Sequence, residues 1–261
     1  MAFLDDILAA TRATLPAIRL RRDSLERSAA DRPLPPPFDA ALRGSAVALI
    51  AEVKRRSPSA GPINEALDPV QLARSYASGG AAAISVLTDL QFFGGSLADL
   101  EAVTAAVSAP ILRKDFILDD VQLLEARATG AAAALLIVRV LDQRELVRLH
   151  DTAVRIGLTP LVETHNSAEI VRALDAGAQV IGVNARDLDT FVIDTSAAWR
   201  LLESIPATRI AVAESGMASL ADVMLAADAG ADAVLIGSAL ASASDPGACA
   251  RDFSGVRRRG R

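Results

Sequence analysis

The chain has 261 residues, a formal net charge of −5, 51% hydrophobic residues and 23% charged residues. This balance fits a folded domain with a large core rather than a disordered segment, and it disfavours nucleic acid or an anionic membrane as a partner. Cys249 is the single cysteine, which excludes an intrachain disulfide or a cysteine metal cluster, and His150 and His165 are the only histidines.

The opening FLDDILAATRATLPAI places Phe3, Leu4, Ile7, Leu8 and Leu15 at helical spacing. DRPLPPPFDAAL follows, and its prolines break any helix and predict an extended connector. Residues 1–45 are therefore expected to form an N-terminal helical extension, with the main domain covering 46–261. No basic segment leading into an apolar stretch opens the chain, and no apolar run reaches the length of a membrane span. A reducing cytoplasm is the expected location, with no membrane association.

From Ala46 onward, short β-prone runs alternate with alanine-rich helical stretches. The runs cover 46–54, 81–88, 109–115, 132–140, 158–163, 178–186, 207–215 and 231–238. Segments apolar on both faces and separated by helices predict a parallel sheet. Gly80-Ala81, Gly130-Ala131, Gly177-Ala178 and Gly230-Ala231 each end a helix and turn the chain into the next strand. Repetition on this scale predicts a (β/α)₈ barrel of the TIM type. A doubly wound open sheet is disfavoured because no G-x-G-x-x-G follows the first run.

Of 27 basic residues, only Lys54 and Lys114 are lysine. Arginine evidently serves at ordinary surface positions, so the two lysines are candidates for proton transfer or compact charge placement. Both fall at predicted strand ends, where barrels of this kind keep their reactive groups. Glu52, Glu163, Asn184, Arg186, Glu214, Ser215, Gly237 and Ser238 fall there too. Each alone has an ordinary structural explanation, such as an ion pair or a turn. Together they are poorly explained by packing, because buried charge is costly unless paired or serving a ligand. Glycine and serine at the seventh and eighth strand ends match a phosphate site, and Ser57 could add a hydroxyl.

IAEVKRRSPSAG (50–61), SVLTDLQFFGGS (85–96), LRKDFILD (112–119), LVETH (161–165), NARDLDTF (184–191) and AESG (213–216) together resemble the indole-3-glycerol-phosphate synthase family of tryptophan biosynthesis. The likeness covers nearly the whole chain. Ala132, Val121, Gly94 and Ala185 depart from the usual pattern without removing a residue the family uses for catalysis. The resemblance implies a carboxy-lyase that converts 1-(2-carboxyphenylamino)-1-deoxyribulose 5-phosphate to indole-3-glycerol phosphate, carbon dioxide and water. It implies no cofactor and no metal. Lys114 would be the general acid for ring closure, Lys54 the partner of the substrate carboxylate and a second candidate acid for the dehydration, and Glu163 the partner carboxylate that removes a proton or stabilises the iminium. Glu52 would orient Lys54, and Asn184 would hold Glu163. Ser57, Ser215, Gly216, Gly237 and Ser238 would bind phosphate. Arg186, Glu214, Phe93, Phe116, Leu135 and Leu188 would wall the aromatic ring.

The chemistry needs a proton donor at the developing alkoxide, and a lysine near another cation and an apolar wall is expected to have a lowered pKa. The resemblance implies that the extension covers the catalytic end, and the extension is expected to be removable, through residue 40, without loss of the barrel. His150 is expected on a solvated helix face, His165 at the site rim without a catalytic role, and the terminal RRRGR as a frayed tail. A different phosphosugar barrel enzyme, such as phosphoribosylanthranilate isomerase, would need a Cys and Asp pair at the strand ends, and Cys249 lies past the last strand. A catalytically silent phosphate-binding barrel should have lost a polar strand end. Transient contact with neighbouring pathway enzymes is the one macromolecular association left open.

Overall fold

The protein's computed structural model describes residues 3–57, 61–64 and 66–260, so Pro58 and Ser59 of the SPS segment lie outside the described residues. The eight apolar runs are eight strands: β1 (Ala48–Val53), β2 (Ala83–Leu87), β3 (Ile111–Lys114), β4 (Ala133–Ile137), β5 (Thr159–Thr164), β6 (Val180–Asn184), β7 (Ile210–Glu214) and β8 (Ala233–Ile236). Each pairs in parallel with its neighbours in sequence, and β8 closes on β1 through the register Ala48 to Ala233 and Ala51 to Ile236. The result is the (β/α)₈ barrel expected from the spacing. A small antiparallel ladder, Arg56-Ser57 against Gly61-Pro62, extends the loop after β1.

The helices are α1 (Phe3–Arg19), α2 (Arg22–Asp31), α3 (Phe38–Ala41), α4 (Pro69–Ser78), α5 (Leu90–Phe93), α6 (Leu97–Ala106) and α7 (Asp120–Ala128), then α8 (Gln143–Arg155), α9 (Ser167–Asp175), α10 (Thr195–Leu202), α11 (Leu220–Asp228), α12 (Ser238–Ala241) and α13 (Pro246–Ser254). Many open on an Asp, Ser or Asn whose side chain accepts first-turn N–H groups, as at Asp68, Asp119, Asp142, Asn166 and Ser219. These caps satisfy donors that the helix itself leaves unpaired, and they fix where each helix starts. Gly80, Gly130, Gly177 and Gly230 close the preceding helices with φ of 86–94°.

Period-two alternation sorts the side chains into two cores. Leu49, Ala51, Ile84, Val86, Leu136, Val162, Ile181, Ala211 and Val234 point outward and pack under the helices. Ile50, Ala83, Leu112, Leu135, Leu161, Val180, Val212 and Leu235 point inward and fill the barrel. His150 lies on the inner face of α8 with Leu146 and Leu149 and is buried, which corrects its expected solvation. The helical period put the residue on the apolar stripe despite its polar ring.

The N-terminal region runs the length of the barrel wall. Leu4, Ile7 and Leu8 of α1 join the inward cluster, while Phe38 and Leu42, just before β1, join it from the start of the chain's path into the barrel. Between them, α2 lies along α7. Arg19 pairs with Asp119, Arg22 pairs with Asp120 at 2.7 Å, and the Arg127 guanidinium donates to the carbonyls of Arg32 and Pro33 at 2.7 and 3.0 Å. Arg257 to Arg259 of the terminal RRRGR are docked rather than frayed, while Arg261 lies outside the described residues: Arg258 N–H donates to Ser45 O at 3.0 Å and its guanidinium pairs with Asp232. Asp232, just before β8, and Asp228, at the end of α11, explain why this basic segment docks.

Phe38 is fully buried, so removing residues through 40 would take away part of the interior core. Phe38→Ala is expected to lower the free energy of unfolding by about 3–5 kcal/mol. Denaturant unfolding would measure this, and a loss below about 1 kcal/mol would mean that the neighbouring chain collapses into the space.

Candidate active site

One position decides the character of the barrel's C-terminal end. Along β1, β3, β5, β6 and β7 the inward residues give way to a charged or polar side chain at the last inward position, while β2, β4 and β8 end on apolar side chains. Ile50 is followed inward by Glu52, Leu112 by Lys114, Leu161 by Glu163, and Val212 by Glu214. Register brings Leu87 beside Lys114, Ile137 beside Glu163, and Asn184 beside Glu214. The charged groups therefore form one layer resting on an apolar floor.

Lys114 is the hub of this layer. Its Nζ lies 3.3 Å from Glu163 Oε2 and 3.6 Å from Glu214 Oε2. Lys54, one residue past β1, pairs with Glu52 at 2.9 Å. Glu52, Glu163 and Glu214 are all buried. Burial would lower the Lys114 pKa, but Glu163, Glu214 and Glu52 outweigh it and raise the pKa above the ordinary lysine value. This corrects the expected depression: the near neighbours are carboxylates, not a cation. Burial also opposes ionisation of Glu52 and Glu163, yet the lysines hold both below the usual carboxylate range, with His165 and the Asn184 amide helping at Glu163. Glu214 goes the other way. Burial and the negative Glu163 push it up to about 8, and among the described residues neither of its oxygens has a hydrogen-bond partner. With Glu214 protonated, two ammonium groups face two carboxylates and the layer is neutral. Ionising Glu214 as well would set a second buried negative charge against Glu163.

A cavity of about 630 Å³ opens above this layer. The sequence-predicted residues all line it: Glu52, Lys54, Lys114, Glu163, Asn184, Ser57, Phe93, Phe116, Leu135, Arg186, Leu188, Glu214, Ser215, Gly216, Gly237 and Ser238. Phe93 and Phe116 stand with ring centroids 6.3 Å apart, forming an aromatic wall near Lys114. Arg186 donates from its backbone N–H to Asn184 Oδ1 at 3.0 Å and from its guanidinium to Phe191 O at 3.3 Å. Phe3, Leu4 and Ile7 of α1 complete the cavity wall. The Phe3 ring lies edge-on to Phe92 and Phe191 at 5.2 and 5.3 Å, so Phe92 secures the covering helix while its neighbour Phe93 faces the cavity.

The wall at β7 and β8 is made of backbone. Ser215 has φ 65° and Gly216 φ 77°, a left-handed pair directly after Glu214. A non-glycine residue held in that region costs of order 1–3 kcal/mol and is typical of ligand clamps. Register places this turn beside Gly237-Ser238, which opens α12.

Two glycines work through the space they leave. A Cβ on Gly182 would stand 2.0 Å from Glu214 Oε1, so this mid-strand glycine makes room for the buried carboxyl. A Cβ on Gly237 would stand 2.4 Å from Glu52 Oε1 and 3.1 Å from Lys54 Nζ. Sequence reasoning assigned Gly237 only to the anion and missed Gly182, although an isolated glycine within a strand signals close approach. Phe191, with φ 59°, was also missed. A second, buried layer holds the end of β3: Arg113 pairs with Asp115 at 2.9 Å and Glu125 at 3.2 Å, and Asp115 accepts from the Thr88 hydroxyl at 2.5 Å. Among the described residues no group of three or more His, Cys, Asp or Glu could hold a metal ion, and no helix is long and apolar enough to cross a membrane.

The Glu214 environment carries a signed consequence. Its carboxyl binds a proton up to about 8 in the folded chain, against an ordinary value of 4.5. The folded state therefore holds more protons than the unfolded state across that window, and stability falls as pH rises through it. Glu214→Gln keeps the neutral form at every pH. Its melting temperature relative to the native chain is expected to rise between pH 5 and pH 8, and a pH-independent difference would contradict the assignment.

The sequence profile of the indole-3-glycerol phosphate synthase family matches residues 4–253. An indole-3-glycerol phosphate synthase of Streptomyces griseus is 51% identical over 255 residues, covering 97% of this chain and 95% of the relative. That of Leifsonia xyli is 54% identical over 229 residues, covering 88% of each, and that of Mycobacterium ulcerans is 49% identical over 252 residues, covering 96% and 93%. Among solved structures, a 3-hexulose-6-phosphate synthase matches with a TM-score of 0.63 at 17% identity, covering 80% of this chain and 98% of that one. Thiamine phosphate pyrophosphorylase from Pyrococcus furiosus matches with a TM-score of 0.60 at 18% identity, covering 81% and 95%. These two speak for the fold alone. With half of its residues shared with these relatives over nearly its full length, the chain belongs to the indole-3-glycerol phosphate synthase family.

Proposed function

We propose that this chain is a carboxy-lyase that closes the indole ring of 1-(2-carboxyphenylamino)-1-deoxyribulose 5-phosphate, releasing carbon dioxide, water and indole-3-glycerol phosphate. The observation that carries this reading is Lys114 held between Glu163 and Glu214 beneath an aromatic-walled cavity. The ring-bearing end of the substrate fits between Phe93, Phe116, Leu135 and Leu188, and its phosphate fits against the backbone turns at Ser215-Gly216 and Gly237-Ser238, with Ser57 nearby. Backbone N–H groups hold a dianion without adding a titratable group.

In the first step, the aromatic carbon bearing the carboxylate attacks the ketone carbon. The ketone oxygen gains negative charge and takes a proton from the Lys114 ammonium. A high pKa for Lys114 is compatible with this, because the oxygen becomes more basic than any lysine as the bond forms. Lys54 pairs with the substrate carboxylate, with Glu52 fixing its position. Loss of carbon dioxide returns the bonding pair to the ring. The new hydroxyl then leaves as water, drawing its proton from a lysine ammonium. Glu163 accepts the proton whose removal leaves the indole, held in place by Asn184. Arg186 serves the polar wall. α1 excludes water from above, which strengthens each of these charge interactions.

The direct test is formation of the indole chromophore from the carboxyphenylamino-deoxyribulose phosphate; its absence with pure folded protein would refute the reading. Lys114→Arg is expected to lower kcat by about 10²–10⁴-fold. The guanidinium is a weaker acid, and its planar fork does not fit a gap sized for a compact ammonium. A kcat near that of the native chain would remove Lys114 from this role.

Gly237 gives a separate outcome. Ser238→Ala leaves every backbone N–H in place and is expected to change KM by less than about threefold, whereas Gly237→Val is expected to raise KM by more than about tenfold. Because the new Cβ would strike Glu52, kcat falls as well in the glycine variant. Equal effects from the two substitutions would place the phosphate elsewhere.

A further inference from the structure

His165 follows β5 by one residue, and its ring lies behind Glu163 rather than in the cavity wall. Its Nδ1 is 3.3 Å from Glu169 Oε2, which also accepts the His165 backbone N–H at 2.8 Å. Glu169 is tied down in turn: Oε1 accepts from the Asn166 amide at 2.9 Å, and Glu169 N–H donates to Asn166 Oδ1 at 2.9 Å. On the other side, His165 Nε2 faces Glu163 Oε1 at 3.6 Å. Both of these atoms are buried, and among the described residues neither has a hydrogen-bond partner.

Two orphaned polar atoms facing each other at that distance are unlike ordinary packing. A buried carboxylate oxygen without a donor is costly, and a shift of about half an ångström would bring the pair into hydrogen-bond range. The second oxygen of Glu163 is already engaged by Lys114 at 3.3 Å. Glu163 can thus be gripped from both sides, by the lysine that the reaction uses and by a ring that never meets the substrate.

We propose that His165, anchored by Glu169, is a positioning residue that supplies an N–H to Glu163 Oε1 and so fixes the orientation and charge of that carboxylate. The proposal rests on the reading of Glu163 as the proton acceptor of the reaction. The charged groups facing the ring are Glu163 from β5, Glu169 from α9 and, from the turn after β4, Arg139, whose own partners are Asp187 and Asp189. Burial disfavours the imidazolium, but Glu169 and Glu163 outweigh both burial and Arg139, and the His165 pKa is raised above its ordinary value. A doubly protonated ring has the donor at Nε2 that Glu163 lacks.

Having only two histidines makes the test direct. A ring-nitrogen NMR titration of the folded chain is expected to give His165 a pKa above 6.5, falling in Glu163→Gln and in Glu169→Gln. Kinetically, His165→Phe is expected to lower kcat by about tenfold or more with KM changed less than about threefold, because the ring does not touch the cavity. Loss of the positive charge raises the Glu163 pKa, so the acid limb of the kcat profile moves up by about one pH unit. His165→Gln, which restores an uncharged donor, is expected to recover part of the plateau kcat but not the acid limb. A His165 pKa at or below 6.5, one indifferent to Glu163→Gln, or a His165→Phe enzyme with unchanged kcat and acid limb would each overturn the proposal. If the native chain makes no indole product, the functional reading fails, while the NMR arm still decides whether the two side chains are coupled.

Discussion

Everything at the catalytic end is arranged around one buried ammonium. Lys114 sits among three carboxylates, Glu163 and Glu214 at 3.3 and 3.6 Å and Glu52 within electrostatic reach, at the C-terminal end of an apolar barrel. Burying so many charges is costly unless they are paired, and the carboxyl that keeps its proton spares the layer a second negative charge beside Glu163. Glu214 is the one displaced, since it is buried and faces the negative Glu163. An ammonium, ionised carboxylates and a neutral acid thus share one small volume, and their charge states are separated by environment rather than by residue type.

That constraint reaches outward. Glu214 fits only because β6 carries Gly182, and Glu52 keeps its place beside Lys54 only because β8 ends in Gly237. The backbone that could cradle phosphate and the space that protects an ion pair are therefore the same residue. Farther out, Arg113, Asp115, Thr88 and Glu125 hold the end of β3 from the outer face, fixing the strand on which Lys114 stands. A shift of the lysine would have to break this buried network as well as its own pairs.

The N-terminal region is bound to the same requirement. Water at the barrel mouth would weaken the pairing that permits the buried layer. Phe3, Leu4 and Ile7 cover the cavity, while Phe38 and Leu42 fill the interior where the chain enters the barrel. The connector between them is fastened to α7 through arginines, which suits a chain that uses arginine for nearly all of its positive charge.

The sequence by itself determined the barrel and the contents of its catalytic end. Eight apolar runs joined by helices and glycine turns specify parallel strands, because local periodicity and turn chemistry act over a few residues and are written directly in the chain. Their places at the ends of the apolar runs likewise put Glu52, Lys114, Glu163 and Glu214 at the catalytic end, whereas the face each takes was left to barrel closure, because the runs are apolar on both sides. Tertiary structure alone decided the rest. The pKa of Lys114 moved opposite to expectation because it depends on which charges arrive from β5 and β7, and sequence spacing is silent on distances across a barrel. Burial of His150, docking of the terminal arginines, the room left by Gly182 and the pairing of His165 with Glu163 and Glu169 have the same origin. Each is a meeting of groups brought together by barrel closure, and its energy depends on distances of a few ångströms set by the whole fold.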